Sequence, residues 1–200
     1  MVASDNRGKL EEYRELLNGV PWRMVLLAER GIPGMDLETG NSFDENASLK
    51  ARGYARVSGL PALADDSGLE VDALGGRPGV YSARYGGKTS DSARNTLLLD
   101  ELQGVAWDRR TACFRCVIAV HTGRKEDDVL LFQGSCRGII CLEPRGEHGF
   151  GYDPIFYLPE YSRTMAELTP EEKNRVSHRA MAAQKCRPVL VELSQRHRGN

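Results

Sequence analysis

Two adjacent carboxylates, Asp65 and Asp66, followed by Ser67 and Gly68, are a pattern whose residue types and spacing point to chemistry. Like charges side by side repel, and Asp is a poor strand former. A Mg²⁺ ion resolves the repulsion, because it takes oxygen ligands and usually shares them with substrate phosphates. Turn chemistry is the other reading, since Asp, Ser and Gly suit a tight hairpin. A second segment, Ser4-Asp5-Asn6-Arg7-Gly8-Lys9, lies between a strand-like start and a helix. Such a junction aims backbone N–H groups at a phosphate, and Lys9 adds a point charge. The segment lacks the G-x-x-x-x-G-K-[ST] form of a Walker A loop. An ordinary helix cap with surface charges also accounts for it.

Three further groups complete the inventory. Glu38-Thr39-Gly40 precedes Glu45-Asn46; a loop carboxylate of this kind is solvated unless a metal recruits it. Gly149-Phe150-Gly151-Tyr152-Asp153-Pro154 lets backbone approach a flat ligand while an aromatic ring stacks on it, or forms a β-turn whose rings join the core. Lys173 and Ser177-His178-Arg179 place cations at a helix start, where an anion or polar ligand would stabilise them. A solvated basic face is the alternative. Cys113 and Cys116 have zinc-knuckle spacing but lie in a β-rich run, where residues three apart face opposite ways, so the five cysteines read as buried free thiols.

The elements that must position these groups follow from periodicity. Leu10, Tyr13, Leu16 and Leu17 mark an amphipathic helix ending near Asn18-Gly19. Residues 25–28 read as a short buried strand. Ser42-Phe43-Asp44-Glu45 has the form of a capping box opening a helix to about Val57. Residues 61–65 and 69–74 read as two strands flanking Asp66-Ser67-Gly68, and 75–87 as glycine-rich loop. Residues 90–102 are helical. Residues 111–122 and 129–142 suggest an antiparallel pair turning at 123–128. Thr169, Pro170 and Glu172 cap another helix, and Pro188 predicts a kink or break in the last one. Helices interleaved with strands of both kinds indicate an α/β fold with a mixed sheet.

Composition narrows the function classes. Twenty-seven Lys+Arg against 28 Asp+Glu leave a net charge of −1, which argues against a surface that wraps nucleic acid polymer or coats an anionic membrane. The apolar run 116–120 is far short of the roughly 20 residues a membrane helix needs. The polar start at Ser4-Asp5-Asn6 does not resemble a signal peptide, and an odd number of cysteines suits a reducing cytoplasm. No repeat or linker divides the chain, so residues 1–200 are expected to form a single domain.

In order and register, these segments resemble the inosine/xanthosine triphosphate pyrophosphatase family. The resemblance includes Ser4 to Lys9, Glu38-Thr39-Gly40, residues 43–50, 60–85 (LPALADDSGLEVDALGGRPGVYSARY), 149–156 (GFGYDPIF) and 166–179 (AELTPEEKNRVSHR). It implies Mg²⁺-dependent hydrolysis of inosine, deoxyinosine and xanthosine triphosphates to the monophosphate and pyrophosphate, by a homodimer. The implied fold is an elongated mixed β-sheet with flanking helices and two lobes around a central nucleotide-binding cleft. By matching positions it implies Asp66 as general base and metal-associated carboxylate, with Glu38 as a second metal contact. Ser4, Asp5, Asn6, Arg7, Gly8, Lys9, Ser67 and Lys173 would hold phosphates and sugar. Phe150, Gly151, Tyr152, Asp153, His178 and Arg179 would hold the base.

The residue chemistry agrees. Cleaving an α–β phosphoanhydride needs charge neutralisation, a positioned water and a proton acceptor. Inosine and xanthosine offer a 6-oxo acceptor to His178 and Arg179, where adenosine offers a 6-amino donor. Two departures stand out: three residues precede Ser4 where relatives have a fuller first strand, and Pro188 falls in a helical region. A pyrophosphatase for other modified nucleotides, or a non-catalytic nucleotide-binding module, is the competing reading.

Overall fold

Five strands, β1 (Ala62–Val71), β2 (Thr111–His121), β3 (Val129–Ile140), β4 (Phe156–Leu158) and β5 (Arg163–Thr164), form one sheet in that order. The computed structural model describes residues 1–4, 6–123, 125 and 128–198; Asp5 and positions 124, 126 and 127 of the expected turn lie outside the described residues. Ile139 opposes Tyr157 across β3–β4, and Tyr157 opposes Thr164 across β4–β5, both antiparallel. Parallel pairing, the other component of the expected mixed sheet, is confined among the described residues to Val2, which bridges Leu26 and Leu63. The expected strand at 25–28 is therefore reduced to one bridge at Leu26, because so little of the N-terminal run pairs with it. Five helices accompany the sheet: α1 (Arg7–Leu16), α2 (Phe43–Ser58), α3 (Asp91–Glu101), α4 (Pro170–Val176) and α5 (His178–Arg198). Among the described residues no helix is long and apolar enough to cross a membrane.

The chain clusters into two compact units, Met1–Asp66 with Cys116–Gly134 and Arg179–Asn200, and Ser67–Arg115 with Ser135–His178. In the first unit Val2, Tyr13, Leu63, Ile118, Val120 and Cys186 share one core. Helix α2 buries Phe43, Asn46, Ala47, Lys50, Ala51 and Tyr54, the three- and four-residue spacing of one helical face. Ser42 caps it through the Glu45 N–H at 3.2 Å. The Glu45 carboxylate accepts instead from the Asn41 N–H, at 2.7 Å, so the expected reciprocal box is only half formed. Helix α5 runs through Pro188 without the expected break. Tertiary bonds pin both sides of that proline: Arg187 Nη1 donates to Leu16 O (2.9 Å) and Asn18 O (2.7 Å), and Trp22 Nε1 donates to Leu190 O at 2.6 Å.

The second unit has its own core, including Leu69, Leu98, Phe114, Ile140, Phe156 and Met165. Helix α3 starts from Ser90, whose hydroxyl accepts from Ala93 N–H. Helix α4 has both halves of the predicted Thr169–Glu172 capping box. All five cysteines are buried and free, two of them in β2. One buried cation organises this unit. Arg110, 2% exposed, donates through Nε to Ile140 O (2.8 Å), through Nη1 to Leu102 O (2.9 Å) and through Nη2 to Cys141 O (2.7 Å). It thereby ties the end of α3 to the end of β3. Replacing Arg110 with Met removes three buried charge-assisted hydrogen bonds, so urea denaturation is expected to show a loss of about 3 kcal/mol or more. A loss below about 1 kcal/mol would remove Arg110 from this role.

Candidate functional site

Strand β1 crosses the Asp65-Asp66-Ser67-Gly68 segment without turning, so the expected pair of strands is one. A strand presents successive side chains on opposite faces, and both carboxylates are nevertheless buried, at 2% and 5% exposure. Each must therefore find its own cations. Asp65 Oδ2 lies 2.9 Å from Lys9 Nζ and 3.7 Å from Arg179 Nε. Arg179, itself buried, also pairs through Nη1 with Glu12 of α1. Burial works to raise the Asp65 pKa, but Lys9, Arg179 and Lys50 outweigh it and hold the carboxyl well below its ordinary range. Cys116 Sγ stands 4.0 Å from the same oxygen, and burial with the Asp65 charge pushes that thiol up to about 12.

Asp66 faces α2. Asn46 Nδ2 donates to its Oδ2 at 3.1 Å and Lys50 Nζ to its Oδ1 at 3.2 Å. The same ammonium reaches Glu38 Oε1 at 2.9 Å, so two carboxylates converge on one cation. The Glu38 loop is drawn in by its glycine: Gly40 N donates to Asn46 Oδ1 at 2.8 Å. A Cβ on Gly40 would come within 2.6 Å of Glu45 Cβ, which reserves this approach for glycine. Burial raises the Asp66 pKa, and the attraction of Lys50 and Lys9 does not cancel it. Burial acts to lower Lys50, but the charges of Asp66, Asp65 and Glu38 prevail and hold its pKa above the ordinary lysine value. A pair of oxygen donors aimed at one cationic position suits a hard ion that completes its shell with water and phosphate. Among the described residues, no three His, Cys, Asp or Glu gather into a richer metal cage.

A second cluster lies within the other unit. Asp153 Oδ2 accepts from Phe150 N–H at 2.9 Å and from Lys173 Nζ at 2.5 Å. That ammonium sits 5.0 Å from the centre of the half-buried Phe150 ring. Gly149, at φ +78°, is required twice over, since a Cβ there would lie 2.1 Å from Asp153 Oδ2. Tyr152 is buried, its hydroxyl donating to Ser82 O at 2.9 Å, so this aromatic belongs to the core while Phe150 does not. His178 stacks on Phe114 with ring centres 4.7 Å apart and 15° between planes, and Ser177 beside it is buried.

The candidate residues thus fall into two groups. Lys9, Glu38, Asp66 and Arg179 belong to the first unit's ionic cluster; Phe150, Gly151, Tyr152, Asp153 and Lys173 cluster in the second, which also holds Ser67 and His178. Asn6 caps α1 by accepting from Lys9 N–H at 3.0 Å, and Ser4 Oγ accepts from Asn6 N–H. Arg7 and Gly8 form the first turn, Arg7 exposed, and Asp5 lies outside the described residues. The adjacent residues His178 and Arg179 have different surroundings: Phe114 for the former, Glu12 and Asp65 for the latter. Sequence reasoning gave no role to Asn46, Lys50 or Glu12. The signal for the first two was present: they are polar residues at core-facing positions of an otherwise apolar helical stripe. Glu12 carries no such mark.

The Ham1 family model matches residues 1–189. A dITP/XTP pyrophosphatase from Desulforamulus reducens is 48% identical over 196 residues, covering 96% of each chain. One from Bacillus subtilis is 46% identical, covering 95% of this chain and 96% of its own. The solved structure of a HAM1 protein from Coxiella burnetii superposes with a TM-score of 0.86 at 46% identity, covering 96% of this chain and 97% of that one.

The ionic cluster makes a pH-dependent prediction. A carboxyl whose folded pKa is depressed adds stability above its unfolded value, about 3.9, and that stability is lost as pH falls below it. Arg179→Met removes one of Asp65's cations and raises its pKa. The variant should lose about 3 kcal/mol at pH 7, and the deficit should shrink as the pH falls through the carboxylate range. A deficit that is equally large when Asp65 is already replaced by Asn would assign Arg179 to packing alone.

Proposed function

Because the chain belongs to the Ham1 family, we propose that it is a nucleoside triphosphate pyrophosphatase, hydrolysing inosine, deoxyinosine and xanthosine triphosphates to the monophosphate and pyrophosphate. The observation that carries the reading is the convergence of Glu38 Oε1 and Asp66 Oδ1 on one cationic nitrogen beside a buried, hydrogen-bonded base. Glu38 and Asp66 would hold Mg²⁺, which when bound neutralises phosphate charge and acidifies water. Asp66 accepts the proton of the attacking water. Its pKa, raised by burial, makes it a stronger base than an exposed Asp, and Asn46 and Lys50 fix both of its oxygens. Lys50 keeps that carboxylate ionised between turnovers. Lys9, at the start of α1, meets the phosphates, and Arg179 with Glu12 holds Asp65, which in turn holds Lys9.

In the second unit the half-buried Phe150 ring offers a stacking face and Lys173 a charge beside it. His178 is the donor assigned to the 6-oxo group. A site built to donate there leaves a 6-amino base facing a donor, and mismatched buried hydrogen-bonding groups discriminate by about 10⁴. A homodimer belongs to the same reading through the family resemblance, and the five buried free thiols suit a cytoplasmic enzyme.

The test is pyrophosphate release from inosine, xanthosine, guanosine, adenosine and thymidine triphosphates, with Mg²⁺ and after chelation. Release from the first two should exceed release from adenosine triphosphate by at least ~10² and vanish on chelation. Equal turnover of all five would sink the specificity. Binding without turnover would point to a nucleotide-binding module.

A further inference from the structure

The 149–153 turn is held from within and from outside; Ser82 and Lys173 hold its Tyr152 and Asp153 side chains, and α3 holds its backbone at Gly151. Gly151 N–H donates to Asp91 Oδ2 at 2.6 Å, and Gly151 O accepts from Asn95 Nδ2 at 3.1 Å. Asp91 and Asn95 are four residues apart, hence on one face of the helix, and they grip the two peptide planes that flank a single residue. That residue has φ +64° and no side chain, so its backbone has much freedom to lose. The plane between Phe150 and Gly151 sets the Phe150 backbone, and with it the direction of the ring. The Asp91 grip is itself braced, its second oxygen paired with Arg94, whose Nη1 also donates to Lys88 O at 3.1 Å; Asn95 is confined by burial, at 5% exposure. Within the turn, Phe150 N–H to Asp153 Oδ2 leaves the Gly151 peptides untouched and Asp153 N–H to Phe150 O, at 3.2 Å, holds one side of the first of them, while Gly151 N–H and O are held by α3.

We infer that Asp91 and Asn95 are positioning residues for base recognition: a two-point clamp on Gly151 that presents the Phe150 ring to the purine. The inference rests on the assignment of residues 150–153 to the base. A clamp that acts on the base alone changes affinity for a purine nucleotide and not for its phosphates, which a general loss of structure would not do. Misplacing a binding group by about 1 Å costs up to about 10².

The experiment measures steady-state kinetics of Asp91→Ala, Asn95→Ala and Asp91→Asn with inosine triphosphate, and inhibition by inorganic tripolyphosphate, which has no base. Both alanine variants should raise KM about ten-fold, with kcat and the tripolyphosphate inhibition constant within about two-fold of the parent. Asp91→Asn, which keeps an acceptor for Gly151 N–H, should restore most of the KM. KM unchanged, or KM and the inhibition constant rising together, would overturn the clamp. Asn95→Ala leaves the helix start intact and carries the same test if Asp91→Ala does not fold. Amide exchange at Gly151 reads the clamp without substrate. Its N–H should be protected in the parent and in Asp91→Asn and exposed in Asp91→Ala; fast exchange in the parent would overturn the inference. A parent that turns over no triphosphate would count against the proposed function, with Gly151 exchange still deciding the clamp.

Discussion

Two carboxylates on consecutive residues of one buried strand are the constraint on which this protein's chemistry depends. Neither can turn to water, and the strand geometry sends them to opposite faces, so each pairs directly with its own cation, Lys9 at Asp65 and Lys50 at Asp66. Much of the first unit can be understood as the response. On one face α1 supplies Lys9 and Glu12 while α5 supplies Arg179; on the other α2 supplies Asn46 and Lys50. The responses differ in outcome. Asp65 is surrounded by enough positive charge to stay a firm anion, whereas burial prevails at Asp66 and leaves it more basic. A firm anion and a more basic carboxylate arise from identical residues by environment alone.

That division explains why Lys50 is buried. A lysine at 9% exposure on the core face of a helix is costly unless it is matched. Here it is matched by Glu38 and Asp66, two groups from a loop and a strand that would otherwise repel. The ammonium therefore marks where positive charge is stable. In the second unit the ionic logic is smaller in scale: one carboxylate, Asp153, holds Lys173 beside Phe150, and backbone clamps do the rest.

Much of this was legible in the sequence. Caps at Ser42 and Thr169 announced α2 and α4, because capping is local chemistry that tertiary contacts seldom overrule. The motifs containing Asp66 and Phe150 were visible as unusual residue combinations. What was illegible depended on distant partners. Turn residues at 66–68 suggested a reversal, yet β1 runs straight because Lys9, Asn46 and Lys50 neutralise and bind the carboxylates that would have broken it. Pro188 suggested a break, yet bonds at Arg187 and Leu190 hold α5 together across it. Arg179 read as a neighbour of His178, and adjacency in sequence hid that its guanidinium pairs with Glu12, 167 positions away. Lys50 was discoverable, since the helical stripe around it is otherwise apolar, but only by asking why a lysine stands at a core position.

Comparing Asp66→Asn with Asp65→Asn separates the proton acceptor proposed at Asp66 from the structural anion at Asp65. Nucleotide affinity and single-turnover hydrolysis of inosine triphosphate would be measured for both, with thermal midpoints alongside. Asp66→Asn should bind nucleotide nearly as the parent does and lose hydrolysis by at least roughly 10². Asp65→Asn should lose stability, because Lys9 and Arg179 are left facing an amide. Near-normal turnover in Asp66→Asn, or a stable Asp65→Asn protein that has lost only the chemical step, would contradict the account.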